Sequence, residues 1–275
     1  MCCSQECVSL STPGLMAEGV EVHPEPRIRS AERAKVMQGL SELTTAILAG
    51  GLGTRLRSVI ADRPRVLAEV QRRPFLEYLL DQLSAAKLRD VVLCTGHMGE
   101  QVRTKLGNAY GPLRLFYSQE PFPLGTGGAL RFALPMLTSD PVLVMTGDSF
   151  CSADLRSFWR WHLAQRARAS LLLTYQPDTR RYGRVHLESD GRILRFSEKE
   201  GQNGPGWMNG GIYLIQRSLL QAIPEGRAIS LERDLFPSWV DQDLYGYCNG
   251  ERFLDIGIPE AYAAADQFFA KGGPP

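Results

Sequence analysis

The segment of this chain best suited to chemistry is a glycine-rich loop that carries two arginines. Residues 49–57 read AGGLGTRLR and directly follow the apolar run 44–48. Glycines let a backbone turn tightly and bring its N–H groups against phosphate oxygens. The guanidinium groups of Arg55 and Arg57 would add charge-assisted hydrogen bonds to the same oxygens. The loop therefore indicates a phosphate site, with a glycine turn bearing solvent-exposed arginines as the alternative.

Two widespread phosphate-binding loops do not fit this segment. A dinucleotide-binding fingerprint requires a third glycine at the entry to the helix, where this chain has Leu56. A Walker loop requires Gly-Lys-Ser or Gly-Lys-Thr, and neither tripeptide follows. The pattern that remains is GGxGTRL, in which an arginine stands in place of the phosphate-seeking lysine.

Short apolar runs alternate with amphipathic segments around this loop. Apolar runs without polar alternation predict buried strands, and spacing such as that of Leu76, Leu79, Leu80 and Leu83 predicts a helix. The strands predicted in this way are 44–48, 91–95, 113–118, 142–146, 169–175, 212–215 and 253–256. The predicted helices are 74–86, 99–106, 126–137 and 259–270. An antiparallel hairpin is expected over 184–196, with its turn at 189–191.

This alternation predicts an α/β fold. We expect a mainly parallel sheet sandwiched by helices, with a small antiparallel insertion, in one domain over residues 44–270. Residues 1–43 mix Ser, Pro, Gly and Glu without periodicity, which predicts a disordered leader, and 271–275 form a frayed tail. Because ligands gather at the carboxyl ends of parallel strands, the loop at 50–57 and the Gly147-Asp148 turn are expected at one edge.

The composition excludes several functional classes. Among 275 residues, 31 Lys and Arg face 30 Asp and Glu, a net charge of +1 that argues against a nucleic-acid or anionic-lipid surface. No apolar run approaches the ~18 residues of a membrane span. Six cysteines without a secretory leader predict reduced thiols and a cytoplasmic location. The cluster of Cys2, Cys3 and Cys7 lacks the further ligands of a zinc site.

The glycine loop resembles the signature of the sugar-1-phosphate nucleotidylyltransferases, GGxGTRLxPxTxxxPKPxxxxxxxP. In this chain GGLGTRL is followed by RPRV at 63–66 and RPF at 73–75. Further segments resemble family elements in chain order: PLGTGGA at 123–129, GD at 147–148, YG at 182–183, FSEK at 196–199, NGGIY at 209–213, SLERD at 230–234 and DIGIP at 255–259. The sequences of several of these segments are most similar to those of the D-glycero-D-manno-heptose 1-phosphate guanylyltransferases. The resemblance implies the Rossmann-like nucleotidyltransferase (GT-A type) version of the predicted fold.

The resemblance also implies a reaction and its residues. A sugar 1-phosphate attacks the α-phosphorus of a nucleoside triphosphate, GTP in the most similar group, and pyrophosphate leaves. The implied catalytic residues are Arg55, Asp148 and Lys199. The implied nucleotide-binding residues are Ala49, Gly50, Gly51, Gly53, Thr54, Arg65, Glu120, Gly125, Thr126 and Gly127. The implied sugar-phosphate residues are Gly183, Glu198, Lys199, Asn209 and Glu232. Asp148 and Asp255 would hold Mg²⁺.

These residue types suit that chemistry. Two anions must meet while charge grows on the leaving group, so catalysis consists mostly of positioning and electrostatic stabilisation. Mg²⁺ prefers oxygen ligands, and one or two carboxylates together with substrate phosphates suffice. Glu120 would accept hydrogen bonds from guanine N1–H and the 2-amino group, although an exposed loop carboxylate explains it equally well. Asp148 as a helix cap and Asp255 as a turn-closing residue are the structural alternatives.

One departure from the family pattern leaves alternatives open. The family has Lys-Pro where this chain has Arg65-Val66, and a guanidinium is larger and less compact than an ammonium. Altered geometry, lower activity or a non-catalytic nucleotide-sugar-binding relative would each be compatible, as would transfer to a non-sugar acceptor. We expect a working enzyme with small-molecule substrates only, involved in making precursors of lipopolysaccharide, capsule or S-layer glycans. A homo-oligomeric assembly is compatible with the sequence.

Overall fold

The structure is a computed structural model that describes residues 39–51, 56, 59–60, 62–197, 204–249 and 252–271. The strands within these residues are β1 (Thr44–Leu48), β2 (Glu69–Val70), β3 (Arg73–Pro74), β4 (Asp90–Thr95), β5 (Ala109–Tyr110), β6 (Leu113–Gln119), β7 (Val142–Thr146), β8 (Ser149–Cys151), β9 (Ala169–Gln176), β10 (Arg184–Leu187), β11 (Ile193–Ser197), β12 (Gly206–Ile215), β13 (Leu244–Cys248) and β14 (Phe253–Asp255).

The α-helices of the described residues lie between these strands or follow the last of them. They are α1 (Phe75–Ala85), α2 (Gly99–Leu106), α3 (Gly125–Ala133), α4 (Leu155–Gln165), α5 (Arg217–Gln221), α6 (Phe236–Trp239), α7 (Pro259–Ala263) and α8 (Ala265–Ala270). Single 3₁₀ turns cover Arg65–Leu67 and Leu134–Met136, and a π-helical turn covers Leu231–Leu235. None of these helices combines the length and the apolar composition needed to cross a bilayer.

The central sheet has eight strands in the order β13-β9-β12-β7-β1-β4-β6-β5. Strand β1 pairs in parallel with β4 and β7, β4 pairs in parallel with β6, and β9 pairs in parallel with β13. Strand β12 runs antiparallel between β7 and β9. Three two-stranded antiparallel sheets, β2–β3, β8–β14 and β10–β11, complete the fold. The prediction of a mainly parallel α/β sheet with small antiparallel insertions is confirmed.

The sheet separates two hydrophobic cores. In β1, Ala46 belongs to one core and its neighbour Ile47 to the other, because successive side chains of a strand point to opposite faces. Helices α1 and α4 pack on the face of Ile47, and α3, α5 and α6 pack on the face of Ala46. The predicted apolar stripe of α1 is fully buried; truncating one of its leucines to alanine should cost about 2–5 kcal/mol.

The elements differ from the predicted ones at particular residues. The predicted helix 126–137 ends as an α-helix at Ala133 and continues as a 3₁₀ turn that contains Pro135. The predicted closing helix 259–270 is two helices that meet at Ala264. Strand β12 begins at Gly206, six residues before the predicted 212–215 strand, because its glycine-rich start conceals the strand pattern. Packing also extends before β1, since Leu40 and Leu43 are buried.

The carboxyl ends of the parallel strands bring distant loops to one edge of the sheet. The N–H of Ala49, after β1, donates to the carbonyl of Cys94 in β4 over 2.8 Å, and the N–H of Gly147 donates to that of Leu48 over 2.9 Å. The N–H of Glu120, after β6, donates to the carbonyl of Thr95 over 2.9 Å. The loops that follow β1, β6 and β7 are therefore each anchored to the neighbouring strand.

Candidate active site

A cavity of about 190 Å³ opens at this edge of the sheet. Its lining comes from the ends of β1, β4, β6 and β7, from the 3₁₀ turn at Arg65–Leu67 and from the loop that leads into α3. The lining residues are Leu48, Ala49, Gly50, Gly51, Arg65, Val66, Cys94, Glu120, Pro123, Gly125, Thr126, Ala129, Thr146 and Asp148. Eight of these residues are among the eighteen positions that the resemblance assigns to catalysis or to binding of nucleotide, metal or sugar phosphate.

 The eight that line the cavity are Ala49, Gly50, Gly51, Arg65, Glu120, Gly125, Thr126 and Asp148.

Two glycines at this edge of the sheet, Gly50 in the cavity lining and Gly147 after β7, are required by close approaches of the backbone. A Cβ on Gly50 would lie 3.1 Å from the nitrogen of Gly96 and 3.2 Å from Oε1 of Glu120. A Cβ on Gly147 would lie 2.7 Å from the carbonyl oxygen of Leu48. The glycines therefore let the loops after β1 and β7 pack against neighbouring strands and leave the space above them open.

The loop that leads into α3 is held by a distant segment of the chain. Gly125 has a φ of +69°, which favours glycine, and a Cβ there would lie 2.6 Å from the carbonyl oxygen of Ile229. The N–H of Gly127 donates to that same carbonyl over 2.8 Å. The loop that carries the implied nucleotide-binding residues Gly125 and Gly127 is thus held in place by the residues just before the π-helical turn.

Glu120 lies half-buried between this loop and the end of β1. Its Oε2 accepts a hydrogen bond from the N–H of Leu124 over 3.1 Å, and its Oε1 lies against Gly50 and Gly96. Burial raises the pKa of Glu120, an effect that the Leu124 hydrogen bond opposes. Burial and, after it, the charge of Glu120 raise the pKa of the neighbouring Cys94 thiol to about 12. A carboxylate in this slot is an acceptor for a ligand that presents N–H groups.

Asp148 and Asp255 come together although they are far apart in sequence. Strand β14 pairs with β8 so that Asp255 lies opposite Ser149, and the N–H of Ile256 donates to the carbonyl of Asp148 over 3.0 Å. Burial, followed by the charge of Asp148, raises the pKa of Asp255. Oδ1 of Asp255 also accepts the N–H of Gly257 over 2.7 Å, so this residue closes a turn as well. The helix that follows is capped by Asp154 rather than by Asp148.

Arg65 forms an ion pair with Asp148, one member of this acidic pair. Its Nη2 is 2.7 Å from Oδ2 of Asp148, and the two side chains are only 16% and 28% exposed. The resemblance implies that Arg65 contacts the nucleotide, and the structure places it at the cavity. Its ion pair with the implied metal ligand is a contact that sequence reasoning missed, because no local pattern relates the two residues.

A second set of residues is joined by hydrogen bonds around a buried tyrosine. Nδ2 of Asn209 donates to the hydroxyl of Tyr213 over 2.9 Å, and that hydroxyl donates to Glu232. Oε2 of Glu232 also accepts from Oγ1 of Thr126 and from Oγ of Ser230, each over 2.9 Å. Sequence reasoning assigned Thr126 and Glu232 to different substrates, whereas the structure brings them into contact.

Tyr213 is a member of this hydrogen-bonded set that the sequence patterns do not single out. Its side chain is 1% exposed, and its ring packs at 69° against Phe236 with centroids 4.9 Å apart. Burial, followed by the charge of Glu232, raises its pKa well above the usual value, so the hydroxyl stays a donor. The available signal was the tyrosine that ends the NGGIY segment at 209–213.

Gly183 lies at the other side of the acidic pair. Its φ is +76°, and a Cβ there would lie 2.8 Å from the carbonyl oxygen of Ser197 at the end of β11. The ring of the preceding Tyr182 packs edge-on against Phe253, with centroids 5.5 Å apart. Burial, followed by the charge of Asp255, raises the pKa of Tyr182. The structure therefore places this turn next to Asp255.

Several predicted positions lie outside the described residues and stay predictions. These are Gly53, Thr54, Arg55, Arg57, Glu198 and Lys199, together with Cys2, Cys3 and Cys7. The described cysteines, Cys94, Cys151 and Cys248, are buried and form no disulfide with one another.

Comparisons with known proteins point to one family. A family model described as nucleotidyl transferase matches residues 44–272. The chain is 35% identical over 222 residues to a D-glycero-alpha-D-manno-heptose 1-phosphate guanylyltransferase of Aneurinibacillus thermoaerophilus, covering 80% of this chain and 96% of that protein. It is 31% identical over 236 residues to the mannose-1-phosphate guanylyltransferase of Mycobacterium tuberculosis, covering 84% of this chain and 66% of that protein.

A solved structure supports the same assignment. The crystal structure of HddC from Yersinia pseudotuberculosis, complexed with GMP-PN, superimposes with a TM-score of 0.73 at 28% identity, covering 82% of this chain and 99% of HddC. The match confirms the nucleotidyltransferase version of the fold. On the extent of the family match and the identity to these relatives, the chain belongs to the nucleotidyl transferase family.

Proposed function

We propose that this chain transfers GMP from GTP to a sugar 1-phosphate, a heptose or mannose 1-phosphate, and releases pyrophosphate with the help of Mg²⁺. The observation that carries the proposal is the meeting of the glycine loop, Glu120 and the pair Asp148 and Asp255 at one edge of the sheet. Relatives named as guanylyltransferases for these two sugars support the choice of substrates. We further propose that residues 44–270 form the catalytic domain and act in the cytoplasm.

The nucleotide would lie over the ends of β1 and β6. Backbone N–H groups of the glycine loop would receive the phosphates, and Arg55, outside the described residues, would neutralise the triphosphate and the departing pyrophosphate. Glu120 would accept from the two adjacent N–H donors of guanine, which adenine does not present. The N-terminal turn of α3, around Thr126, would border the base or ribose.

The donor set at Asp148 and Asp255 fits Mg²⁺. Both residues offer carboxylate oxygens, the ligand type that Mg²⁺ prefers, and it commonly takes one or two carboxylates plus substrate phosphates. The described residues hold no group of three or more acidic, histidine or cysteine side chains suited to a metal, which agrees with a site that substrate completes. Bound there, Mg²⁺ would supply charge neutralisation for the phosphates.

The sugar 1-phosphate would lie on the side of Asn209 and Glu232. Asn209 and Glu232 would hydrogen-bond the sugar hydroxyls, and Lys199 with Glu198, both outside the described residues, would hold its phosphate and a further hydroxyl. A site of this kind penalises a sugar that lacks the matching hydroxyl, because its polar groups are then left without partners. The precursor made would serve a cell-surface glycan such as lipopolysaccharide, capsule or S-layer.

A matrix of pyrophosphate-release assays tests this proposal. Each of four nucleoside triphosphates is combined with D-glycero-D-manno-heptose, mannose and glucose 1-phosphates, with Mg²⁺ or with EDTA. We expect release only with GTP, a heptose or mannose 1-phosphate, and Mg²⁺. Binding of GTP without turnover for any acceptor would instead favour the regulatory relative, and turnover only with a non-sugar phosphate would favour another acceptor class.

A further inference from the structure

The backbone that carries Arg65 is firmly anchored. Arg65 begins a 3₁₀ turn in which the N–H of Leu67 donates to the carbonyl of Pro64 and the N–H of Ala68 donates to that of Arg65, each over 2.9 Å. Val66 and Leu67 are buried. A fixed backbone with a long side chain lets the guanidinium move between two partners without a rearrangement of the fold.

The guanidinium lies in a slot between two glycines. Its Nη2 is 3.2 Å from the point that a Cβ on Gly51 would occupy, and its Nη1 is 3.2 Å from the corresponding point at Gly257. A side chain at either glycine would press on the guanidinium. The slot joins the phosphate loop after β1 to the turn after β14.

Both edges of this guanidinium face the acidic pair. Nη2 is 2.7 Å from Oδ2 of Asp148. Nη1 faces Gly257, and Oδ1 of Asp255 is 2.7 Å from the same Cβ point of that glycine. One planar cation thus lies next to both segments that carry the carboxylates, a geometry that the compact ammonium of a lysine would not reproduce.

We propose that Arg65 competes with a divalent cation for Asp148 and leaves this carboxylate when a nucleoside triphosphate binds, so that the nucleotide opens the metal site. This inference rests on the proposed function, which makes Asp148 and Asp255 the metal ligands. It gives the arginine that departs from the family pattern a role of its own, which is to control access of the cation to Asp148.

Charge balance supports the exchange. While the guanidinium is paired with Asp148, its positive charge lowers the attraction of the acidic pair for another cation. A triphosphate offers several anionic oxygens, and guanidinium groups bind phosphate through two parallel hydrogen bonds. The same cavity contains Arg65, Asp148 and the phosphate loop at Gly50 and Gly51, so the exchange needs only a side-chain movement.

The alternative is a fixed ion pair. Arg65 would then stay on Oδ2 of Asp148 while a cation used other oxygens, and the guanidinium would contribute only to local stability. These two accounts predict different effects of removing the guanidinium. Competition predicts tighter cation binding and weaker triphosphate binding, whereas a fixed pair predicts no gain in cation binding.

The test compares Arg65→Met with Arg63→Met in the full chain. Arg63 is a matched control because it lies two residues away and its ion pairs, to Asp62 and Glu69, are exposed and do not involve Asp148. Mn²⁺ binding without nucleotide is followed by the electron paramagnetic resonance of the free ion. Binding of α,β-methylene-GTP, which cannot react, is measured calorimetrically in EDTA, with guanosine as the phosphate-free reference.

Arg65→Met should bind Mn²⁺ about tenfold more tightly than the wild type and bind α,β-methylene-GTP about tenfold more weakly. Guanosine binding should be unchanged, Arg63→Met should resemble the wild type for all three probes, and adding Asp148→Asn should abolish the gain in Mn²⁺ affinity. General damage to the fold would weaken binding of every probe, so opposite changes identify competition.

Two results would overturn the inference and separate it from the proposed function. Equal or weaker Mn²⁺ binding by Arg65→Met, still dependent on Asp148, would refute competition and leave the proposed metal site intact. Mn²⁺ binding that is insensitive to both Asp148→Asn and Asp255→Asn would remove the proposed metal site itself, and the competition with it.

Discussion

The two sides of the cleft are stabilised in different ways. On one side, here called the charged wall, Arg65, Asp148 and Asp255 interact through full charges at partly exposed positions. On the other, the hydroxyl wall, Tyr213 and Thr126 donate hydrogen bonds to Glu232. A charged ligand can replace one partner of an ion pair on the charged wall. The hydrogen bonds around the buried ring of Tyr213 are already formed before any ligand binds. The contrast suits phosphate and metal on one wall and sugar hydroxyls on the other.

The largest effect should come from breaking the charged wall at Asp148. Asp148→Asn removes the charge that would hold the cation and should lower pyrophosphate release by about 10³-fold or more, since metal-ion stabilisation of phosphoryl charge amounts to several kcal/mol. Steady-state assays with GTP and mannose or heptose 1-phosphate measure the loss.

Asp90→Asn is the matched control for that substitution. Asp90 lies at the opposite end of β4 and pairs with Arg114 over 2.6 Å, where the arginine is largely exposed. Its loss should cost at most about 1 kcal/mol of stability and leave turnover unchanged. Full activity in Asp148→Asn would refute the assignment of the charged wall.

The next effect concerns the stability of the fold that carries the two walls, and its dependence on pH. His162 is buried, with Nδ1 2.8 Å from Oγ of Ser170, and burial lowers its pKa from 6.5 to about 4. In the unfolded chain the imidazole takes up a proton near pH 6.5, so stability is fully present above that pH and is lost as the pH falls toward 4.

Urea unfolding at pH 7 and pH 5 measures this effect. Between pH 7 and pH 5, the free energy of unfolding of the wild type should fall by about 2 kcal/mol more than that of His162→Gln. The reason is that a shift of one pKa unit corresponds to about 1.4 kcal/mol. Equal losses in the two proteins would show that His162 does not carry the acid sensitivity of the scaffold.

A smaller effect is expected on the selectivity of the enzyme for guanine over adenine nucleotides. Glu120→Gln replaces a carboxylate that accepts hydrogen bonds with an amide that offers one acceptor and competing donors. The ratio of kcat/KM for GTP over ATP should fall about tenfold or more, as expected when a charged hydrogen bond is lost. Glu100→Gln, on the exposed face of α2, should leave the ratio unchanged. An unaltered ratio in Glu120→Gln would place base recognition elsewhere.

The smallest expected effect is on the hydroxyl wall. Tyr213→Phe removes the donor to Glu232 and should raise KM for the sugar 1-phosphate by roughly three- to tenfold, in keeping with a buried hydrogen bond of about 1 kcal/mol. The KM for GTP and kcat should change less. Tyr262→Phe is the control, since its hydroxyl donates to the carbonyl of Glu69 at the surface, away from the cleft. Equal increases in KM for the sugar 1-phosphate and for GTP would mean that Tyr213 contributes only to the stability of the fold.

Local patterns in the sequence were enough to predict the parallel half of the sheet. The strands β1, β4 and β7 are buried on both faces, so their continuous apolar composition predicts that they lie at the centre of the sheet. The glycine loop and the Gly147-Asp148 turn follow those strands, which is why their meeting at one edge was predicted.

Contacts between distant residues were beyond such patterns. Thr126 and Glu232 are 106 residues apart and meet because the π-helical turn packs behind α3. The ion pair of Arg65 with Asp148 depends on the slot between Gly51 and Gly257, which exists only in the folded chain. The local sequence also does not predict the break at Ala264 or the glycine-rich start of β12, because tertiary packing overrides a weak local signal there.

A crystal structure with α,β-methylene-GTP, Mg²⁺ and mannose 1-phosphate tests the division between the two walls most directly. The account predicts the triphosphate over residues 49–51 with Arg65 on its oxygens, the cation on Asp148 and Asp255, and the sugar hydroxyls on Asn209 and Glu232. A sugar bound away from Asn209 and Glu232, or a cation bound without Asp148, would contradict it.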